Sequence, residues 1–283
     1  LDKTNLLITP NAVKAGKLYS VIPANGTGDC AVVRNTTATR VNSSGFIEVV
    51  AANVARFTYL TVGGNPFLLD EAQATNLIIS SNNFDSSNWS KNSTSVTPNA
   101  IISPDGTLNA SRINISSSSG ENLFITLSVT PLTTYTFSFF AQRGTSNELK
   151  FSVFNRSASN NIVAPTSYFS STNSSSFSRI TVTFTTPAGC SLISVYPLRD
   201  SLSIGNFFLY GIQLELGGLS SYIPTAGAAV TRNADVITVA PPAGTVKITT
   251  TFSDDTTQVL TTIPGTYAVP QGLIKQVLMQ NSL

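Results

Sequence analysis

Histidine is absent from this chain of 283 residues. With it go Ser-His-Asp triads, HExxH zinc sites and Cys-His pairs, so catalysis would fall to carboxylates, Lys and Tyr. Glycosidic hydrolysis without His needs two acids held about 5 Å or about 6.5–9.5 Å apart. The adjacent acids are Asp70-Glu71 and Asp254-Asp255. Neighbours on an extended strand point to opposite faces, and Asp254-Asp255 falls where a turn favours Asp. Glu121, Glu148, Asp200 and Glu215 are scattered along the chain. No catalytic residue is assigned.

Aromatic rings are the other chemistry on offer, because the apolar face of a pyranose stacks on a π-surface. Trp89 lies in a loop-like Asp85-Ser86-Ser87-Asn88-Trp89-Ser90, Tyr168 in a Ser-rich loop and Tyr196 near a strand end. These three are the candidate sugar contacts, although a lone Trp early in a sandwich ordinarily plugs the core, and that reading is preferred for Trp89. Asp105 in Ser103-Pro104-Asp105-Gly106-Thr107 could hold an oxygen-ligated calcium, but Pro-Asp-Gly is a standard turn and the turn is preferred. No metal or cofactor is expected. Cys30 and Cys190 are too few for a zinc site and read as free thiols, which suits assembly in a reducing cytoplasm. The N-x-Ser/Thr matches, at Asn25, Asn35, Asn42, Asn88, Asn92, Asn109, Asn114 and Asn173, are about what chance gives in so Asn-rich a chain.

The elements that must position these residues are extended. Thr133–Ala141 reads T-T-Y-T-F-S-F-F-A, with Tyr135, Phe137 and Phe139 on one face. Phe177–Thr185 alternates Ile180, Val182 and Phe184 with Thr181, Thr183 and Thr185. Leu123–Val129, Leu149–Phe154, Leu192–Tyr196 and Phe207–Leu216 behave alike, the period-two mark of half-buried antiparallel strands. The prediction is an all-β protein. Residues 76–225 form a central jelly-roll β-sandwich, flanked by small N-terminal (1–75) and C-terminal (226–283) β domains. In the first zone, short runs at Leu18–Ile22, Cys30–Arg34 and Phe46–Val50 are separated by turns such as Asn25-Gly26-Thr27-Gly28-Asp29. In the third, Val246–Phe252, a turn at Ser253-Asp254-Asp255 and Thr256–Leu260 read as a hairpin; Leu273–Met279 alone could be a short helix.

Composition narrows the class further. Charged residues are 11%, while Ser, Thr and Asn make up about a third of the chain and hydrophobic residues 41%. That is a packed protein covered by hydroxyls and amides. A net charge of +2 without a basic run does not support nucleic-acid capture, and no apolar stretch is long enough to span a bilayer. The start, Leu-Asp-Lys-Thr-Asn, carries neither a secretory signal nor an initiator Met and reads as a mature or trimmed product.

Several runs, taken in order, resemble a known family. They are Ala38–Val50; Phe67–Ile78, including Asp70-Glu71, followed by Phe84-Asp85 and Asn88-Trp89-Ser90-Lys91; Ser103–Thr107 running to Ala110; and Phe208–Glu215, followed by Ser221–Thr225 and Thr231–Asp235. Over about residues 30–240 the chain is similar to head-spike fibre proteins of tailed bacteriophages. The sandwich resembles their CenC-like carbohydrate-binding jelly roll. The family usually has Pro and Arg around Ala72-Gln73-Ala74, so any role of that Arg is lost here. The C-terminal zone lies outside the core resemblance, although Tyr267–Pro270 and Gly272–Ile274 are similar to ends of other phage fibre proteins. The resemblance implies a homotrimer displayed on the virion surface, with capsid or other virion proteins as partners. It supplies no catalytic residues.

Two readings of function follow. In the first, the sandwich contacts host-surface glycans weakly and many times, and multivalency makes about millimolar single-site affinity sufficient. One terminal zone then serves attachment to the particle and the other trimerisation or docking. In the second, the chain is a tail fibre or tailspike, with polysaccharide depolymerisation as its activity. A β-helix tailspike shows stacked repeats, and no such period is present, so the non-enzymatic reading is preferred. A secreted bacterial carbohydrate-binding module is disfavoured by the missing signal.

Overall fold

The computed structural model describes residues 3–14, 17–23 and 28–281, the side chains of 13 and 14 excepted. The turn expected at 25–29 lies mostly outside the described residues. The chain divides into two compact units, residues 74–231 and the combination of 1–73 with 232–283.

Residues 74–231 form the jelly-roll β-sandwich. Its back sheet runs in the order Thr94–Ile102, Leu108–Ile115, Gly205–Leu216, Thr134–Arg143, Ser178–Thr185. Its front sheet runs Asn160–Ser167, Lys150–Asn155, Leu192–Arg199, Asn122–Ser128, Ser90–Asn92. All the pairings between these strands are antiparallel. The alternation in the sequence sorts side chains as expected. Phe137 and Phe139 face the core opposite Val182 and Ile180. Thr134 and Thr136, one step out of phase, hydrogen-bond Thr185 and Thr183 across the strands, each pair at 2.9 Å. Phe137, Ile113, Val153, Val195, Leu209 and Leu214 are fully buried between the two sheets. Each such side chain contributes roughly 1.5–3 kcal/mol through removal from water.

The Gly211–Glu215 stretch locks one end of this core. Gly211 has φ +60°, and a Cβ there would sit 3.2 Å from both Phe140 and Tyr222. Gln213 donates to Glu215 Oε1 at 2.8 Å and accepts the Ile223 N–H at 2.7 Å. Asn76 donates to the carbonyls of Ile212 (3.0 Å) and Ile223 (2.9 Å) and accepts the Leu214 N–H at 3.1 Å.

The other unit corrects the expectation of separate N- and C-terminal domains. Thr4–Lys14 lies beside Gly272–Gln280, with Ile8 opposite Val277, and Gly272–Gln280 also pairs with Lys247–Phe252 and Pro66–Asp70. Strands from both ends of the chain thus build one seven-stranded sheet. Leu6, Ile8, Phe57, Leu68, Ile248, Ile274 and Met279 share one core, so neither terminal zone has an apolar core of its own. The boundaries move accordingly to 73/74 and 231/232. The stretch left open as a helix is the strand Gly272–Gln280, whose two edges both pair with neighbouring strands of the sheet. The expected hairpin is present, with Thr251 opposite Thr257.

Under this core lies a buried ionic cluster. Arg34 donates to Asp235 at 2.6 Å, Arg56 bonds Asp235 and reaches Glu71 at 2.8 Å, and Arg232 stands 3.4 Å from Glu71. Arg34 also donates to the carbonyls of Thr36, Val54 and Ala51. Asp70 is buried beside this group, and neither carboxylate oxygen has a hydrogen-bond partner among the described residues. Burial, reinforced by the Asp235 charge, pushes its carboxyl up to about 7 despite Arg56.

Candidate functional site

Of the acids flagged in the sequence, all but Asp70 and Asp200 are held in close structural hydrogen bonds or ion pairs. Glu71 belongs to the ionic cluster. Asp254 accepts from the Thr256 N–H at 3.0 Å and its hydroxyl at 2.6 Å, as a turn residue does, while Asp255 pairs with Lys275. Glu121 accepts the Leu202 N–H, Glu148 the Ser167 hydroxyl and Leu149 N–H, and Glu215 the Ser220 N–H and hydroxyl. Asp105 accepts from Ser103, Thr107 (N–H and hydroxyl), Asn109 and Tyr210, at 2.6–3.0 Å. Burial would raise its carboxyl, but the hydrogen bonds from Thr107, Ser103 and Asn109 outweigh this and hold it down to about 2. Gly106 closes the turn at φ +80°. Among the described residues no group of three or more His, Cys, Asp or Glu is placed to hold a metal ion. Both cysteines are free thiols. Burial, then the Asp29 charge, pushes Cys30 up to about 12, and burial raises Cys190.

Two of the three aromatic candidates are not surface contacts. Trp89 is 2% exposed, packs edge-on against Phe84 at 5.4 Å and donates its indole N–H to the Ser80 carbonyl at 3.0 Å. Tyr168, also 2% exposed, packs on Phe139 and Phe151 and donates to the Pro197 carbonyl at 2.8 Å. Both rings fill the space between the sheets, as preferred for Trp89, and this corrects the assignment of Tyr168 as a sugar contact. The loop texture around Tyr168 hid this: a polar segment can still plant one large apolar side chain inward.

Tyr196 is buried too, at 5% exposed, but on the outer face of the front sheet and outside the core between the sheets. The alternation along the front sheet sends Ile125, Val153, Ile193 and Val195 into the core. The intervening residues, Phe124 and Thr126, Ser152 and Phe154, Ser194 and Tyr196, are therefore left on the outer face. Thr126 lies opposite Ser194, Ser152 opposite Tyr196, and Phe154 opposite Ser194. An irregular register between Leu123–Leu198 and Ile125–Val195 leaves Tyr196 and Pro197 facing Phe124 across the strands. Such bulges re-aim side chains. Here Phe124 and Tyr196 stack, ring centroids 4.8 Å apart and planes at 28°.

Two arginines lie over this aromatic group. Arg156 follows Phe154 on the same parity. Its guanidinium stands 5.0 Å from the Phe124 ring and 5.5 Å from Phe154, donating to Ser194 at 2.7 Å and to the Tyr196 hydroxyl at 3.1 Å. Arg199 stands 4.7 Å from the Tyr196 ring and 4.9 Å from Phe154, donating to Ser152 at 3.2 Å and Asn161 at 2.9 Å. Its Nε lies 3.5 Å from Asp200, whose side chain is 46% exposed. Cation–π contacts of this kind fix a guanidinium flat on a ring while its outward N–H groups stay in reach of a ligand. Nothing in the composition singled out Arg156 and Arg199. The available signal was the phase of Ser152-Val153-Phe154-Asn155-Arg156, in which aromatic and cationic residues alternate against a core valine.

Comparison with known proteins bears on this same unit. Residues 76–196 match the family described as carbohydrate binding domain. The front-sheet residues Phe124, Phe154, Arg156 and Tyr196 fall inside that match, and Arg199 lies just beyond it. The match covers most of the sandwich. No curated protein matches the chain. Among solved structures, the xylan-binding CBM22-1 domain from Paenibacillus barcinonensis Xyn10C is 13% identical, with TM-score 0.36, covering 52% of this chain and 94% of that one. The enzymatically active domain of bacteriophage CBA120 tailspike protein 4 is also 13% identical, with TM-score 0.38, covering 50% of this chain. This chain spans only 21% of that tailspike domain. At these scores the two likenesses add nothing to the fold described above.

Proposed function

We propose that this chain is a non-enzymatic glycan-binding protein of a tailed-phage particle, a surface spike or fibre whose sandwich attaches to host-surface glycans. The observation that carries the glycan part is the pair of arginines laid over the Phe124–Tyr196 stack, on the front sheet of a sandwich that matches a carbohydrate binding domain. A shallow face of this kind makes few contacts per copy, so useful adhesion requires many copies on one particle. The virion setting rests on the ordered motifs shared with head-spike fibres. Those motifs include Glu71, Arg232 and Asp235 of the buried ionic cluster and the Gly211–Glu215 lock, features that keep a particle component folded. Attachment to the capsid and trimerisation are assigned to the unit built from residues 1–73 and 232–283, leaving the sandwich to contact the host.

The test is adsorption to an array of bacterial and plant polysaccharides. Thr126 is exposed on the front face, so Thr126→Trp plants an indole over the site. Thr181 is exposed on the back sheet, and Thr181→Trp serves as the control. The proposal expects binding that T126W abolishes and T181W spares. Equal loss in both variants, or no adsorption by the unmodified chain, would overturn it.

A further inference from the structure

The reading of the front face as a glycan site leaves the class of glycan open, and the arrangement of its rings narrows it. A neutral pyranose needs an accessible aromatic face to stack on. Here the faces are already occupied. Arg156 covers Phe124 and flanks Phe154, and Arg199 covers Tyr196 and the same Phe154 ring. Tyr196 is 5% exposed as a result. What the site turns most to solvent is Arg156, while Arg199, its side chain 19% exposed, is half-buried like Phe124 and Phe154.

Each guanidinium is also held in place from below. Arg156 uses Nε and Nη2 on Ser194 and Tyr196, and Arg199 uses Nη1 on Ser152 and Asn161. Among the described residues, Nη1 of Arg156 and Nη2 of Arg199 have no hydrogen-bond partner. Asp200 is the acid beside the pair, 3.5 Å from Arg199 Nε and half exposed, a geometry that leaves much of the Arg199 charge unspent. Lys150 shares the parity of Ser152 and Phe154 and adds a third cation to the face. A planar, pre-positioned guanidinium recognises a carboxylate through paired N–H donors.

We infer that the front face selects acidic glycans, polysaccharides bearing uronic-acid carboxylates, which Arg156 and Arg199 engage while the aromatic group beneath holds the two guanidiniums flat. This inference rests on the glycan-binding reading above, and its test separates the two.

The full chain is titrated against polygalacturonate, alginate and hyaluronan, and against the same polymers with their carboxyls reduced to alcohols. Polyglutamate reports adventitious charge. The expected result is binding to at least one acidic polymer, at least tenfold weaker on its reduced counterpart and weakened as salt is raised. Arg156→Gln with Arg199→Gln should remove it, Arg156→Lys with Arg199→Lys should retain only part, and Lys247→Gln in the other unit should change nothing. Thermal unfolding of each variant shows whether the sandwich is intact, and the lysine pair keeps the test valid if the glutamine pair unfolds. Equal binding to acidic and reduced polymers would overturn the acidic selectivity and leave the glycan reading standing. Equal binding to polyglutamate would reduce the site to nonspecific charge. Binding to no polymer, acidic or neutral, would overturn both readings.

Discussion

Asp70 should make the stability of its unit fall as pH rises through neutrality. Its carboxyl is buried, lacks a hydrogen-bond partner among the described residues and is held at about 7 by burial and the Asp235 charge. The ordinary value in an unfolded chain is about 3.9. A carboxyl raised on folding binds its proton more tightly in the native state, so its stabilising contribution is complete below about pH 4. It is lost progressively until the native group has ionised, near pH 7 to 8. At about 1.4 kcal/mol per pH interval in which only the native state holds the proton, the loss between pH 5 and pH 8 comes to about 2–3 kcal/mol. That is a large share of the roughly 5–15 kcal/mol that stabilises a typical domain. Asp70→Asn removes the ionisation and nearly keeps the shape. Calorimetric unfolding at pH 5, 6, 7 and 8 should show the variant gaining on the unmodified chain by that amount across the range. The fluorescence of Trp89, the single tryptophan, tracks the sandwich and serves as the internal reference. A difference that stays flat, or that shrinks as pH rises, would show that Arg56 and Arg232 keep Asp70 ionised and would refute the argument.

Three further outcomes follow from the packing. Phe137→Ala opens a void in the fully buried centre of the sandwich and should cost about 3–5 kcal/mol, read from the denaturant midpoint of Trp89 fluorescence. Asp105→Asn weakens the hydrogen bonds that hold the Ser103–Thr107 turn and should cost about 1–2 kcal/mol at pH 7. Because the Asp105 carboxyl is held down to about 2, its contribution is present above about pH 4 and is lost as pH falls through 2, so the penalty of the variant should vanish in acid. Cys30, pushed up to about 12, and buried Cys190 should resist a thiol-disulfide reagent at pH 7 in the native chain and react on unfolding.

The local architecture was legible because period-two alternation reports which side chains share a face. It identified the paired strands through Phe137 and Ile180 and the hairpin at Ser253–Asp255. It does not report partners. The pairing of Thr4 with Gln280 joins the two ends of the described chain, and no short-range signal encodes it, so the terminal zones read as separate domains. The site was half legible for a related reason. Tyr196 was singled out as an aromatic near a strand end, and its phase against Val195 does place it outward. Its cover was not legible, because Arg156 and Arg199 reach it only once three strands are in register. The polar neighbours of Tyr168 point towards the surface, whereas the volume of its ring and the partner carbonyl of Pro197 hold it inside; Trp89, a lone large ring, reads as a core plug and is one.

The account stands on the outer face of the front sheet. The most direct measurement is a map of backbone amide chemical shifts while the chain is titrated with the oligosaccharide that binds best in the array. The account predicts shifts concentrated at Phe124, Thr126, Phe154, Arg156, Tyr196 and Arg199. Shifts confined to the back sheet, or to residues 1–73 and 232–283, would contradict it.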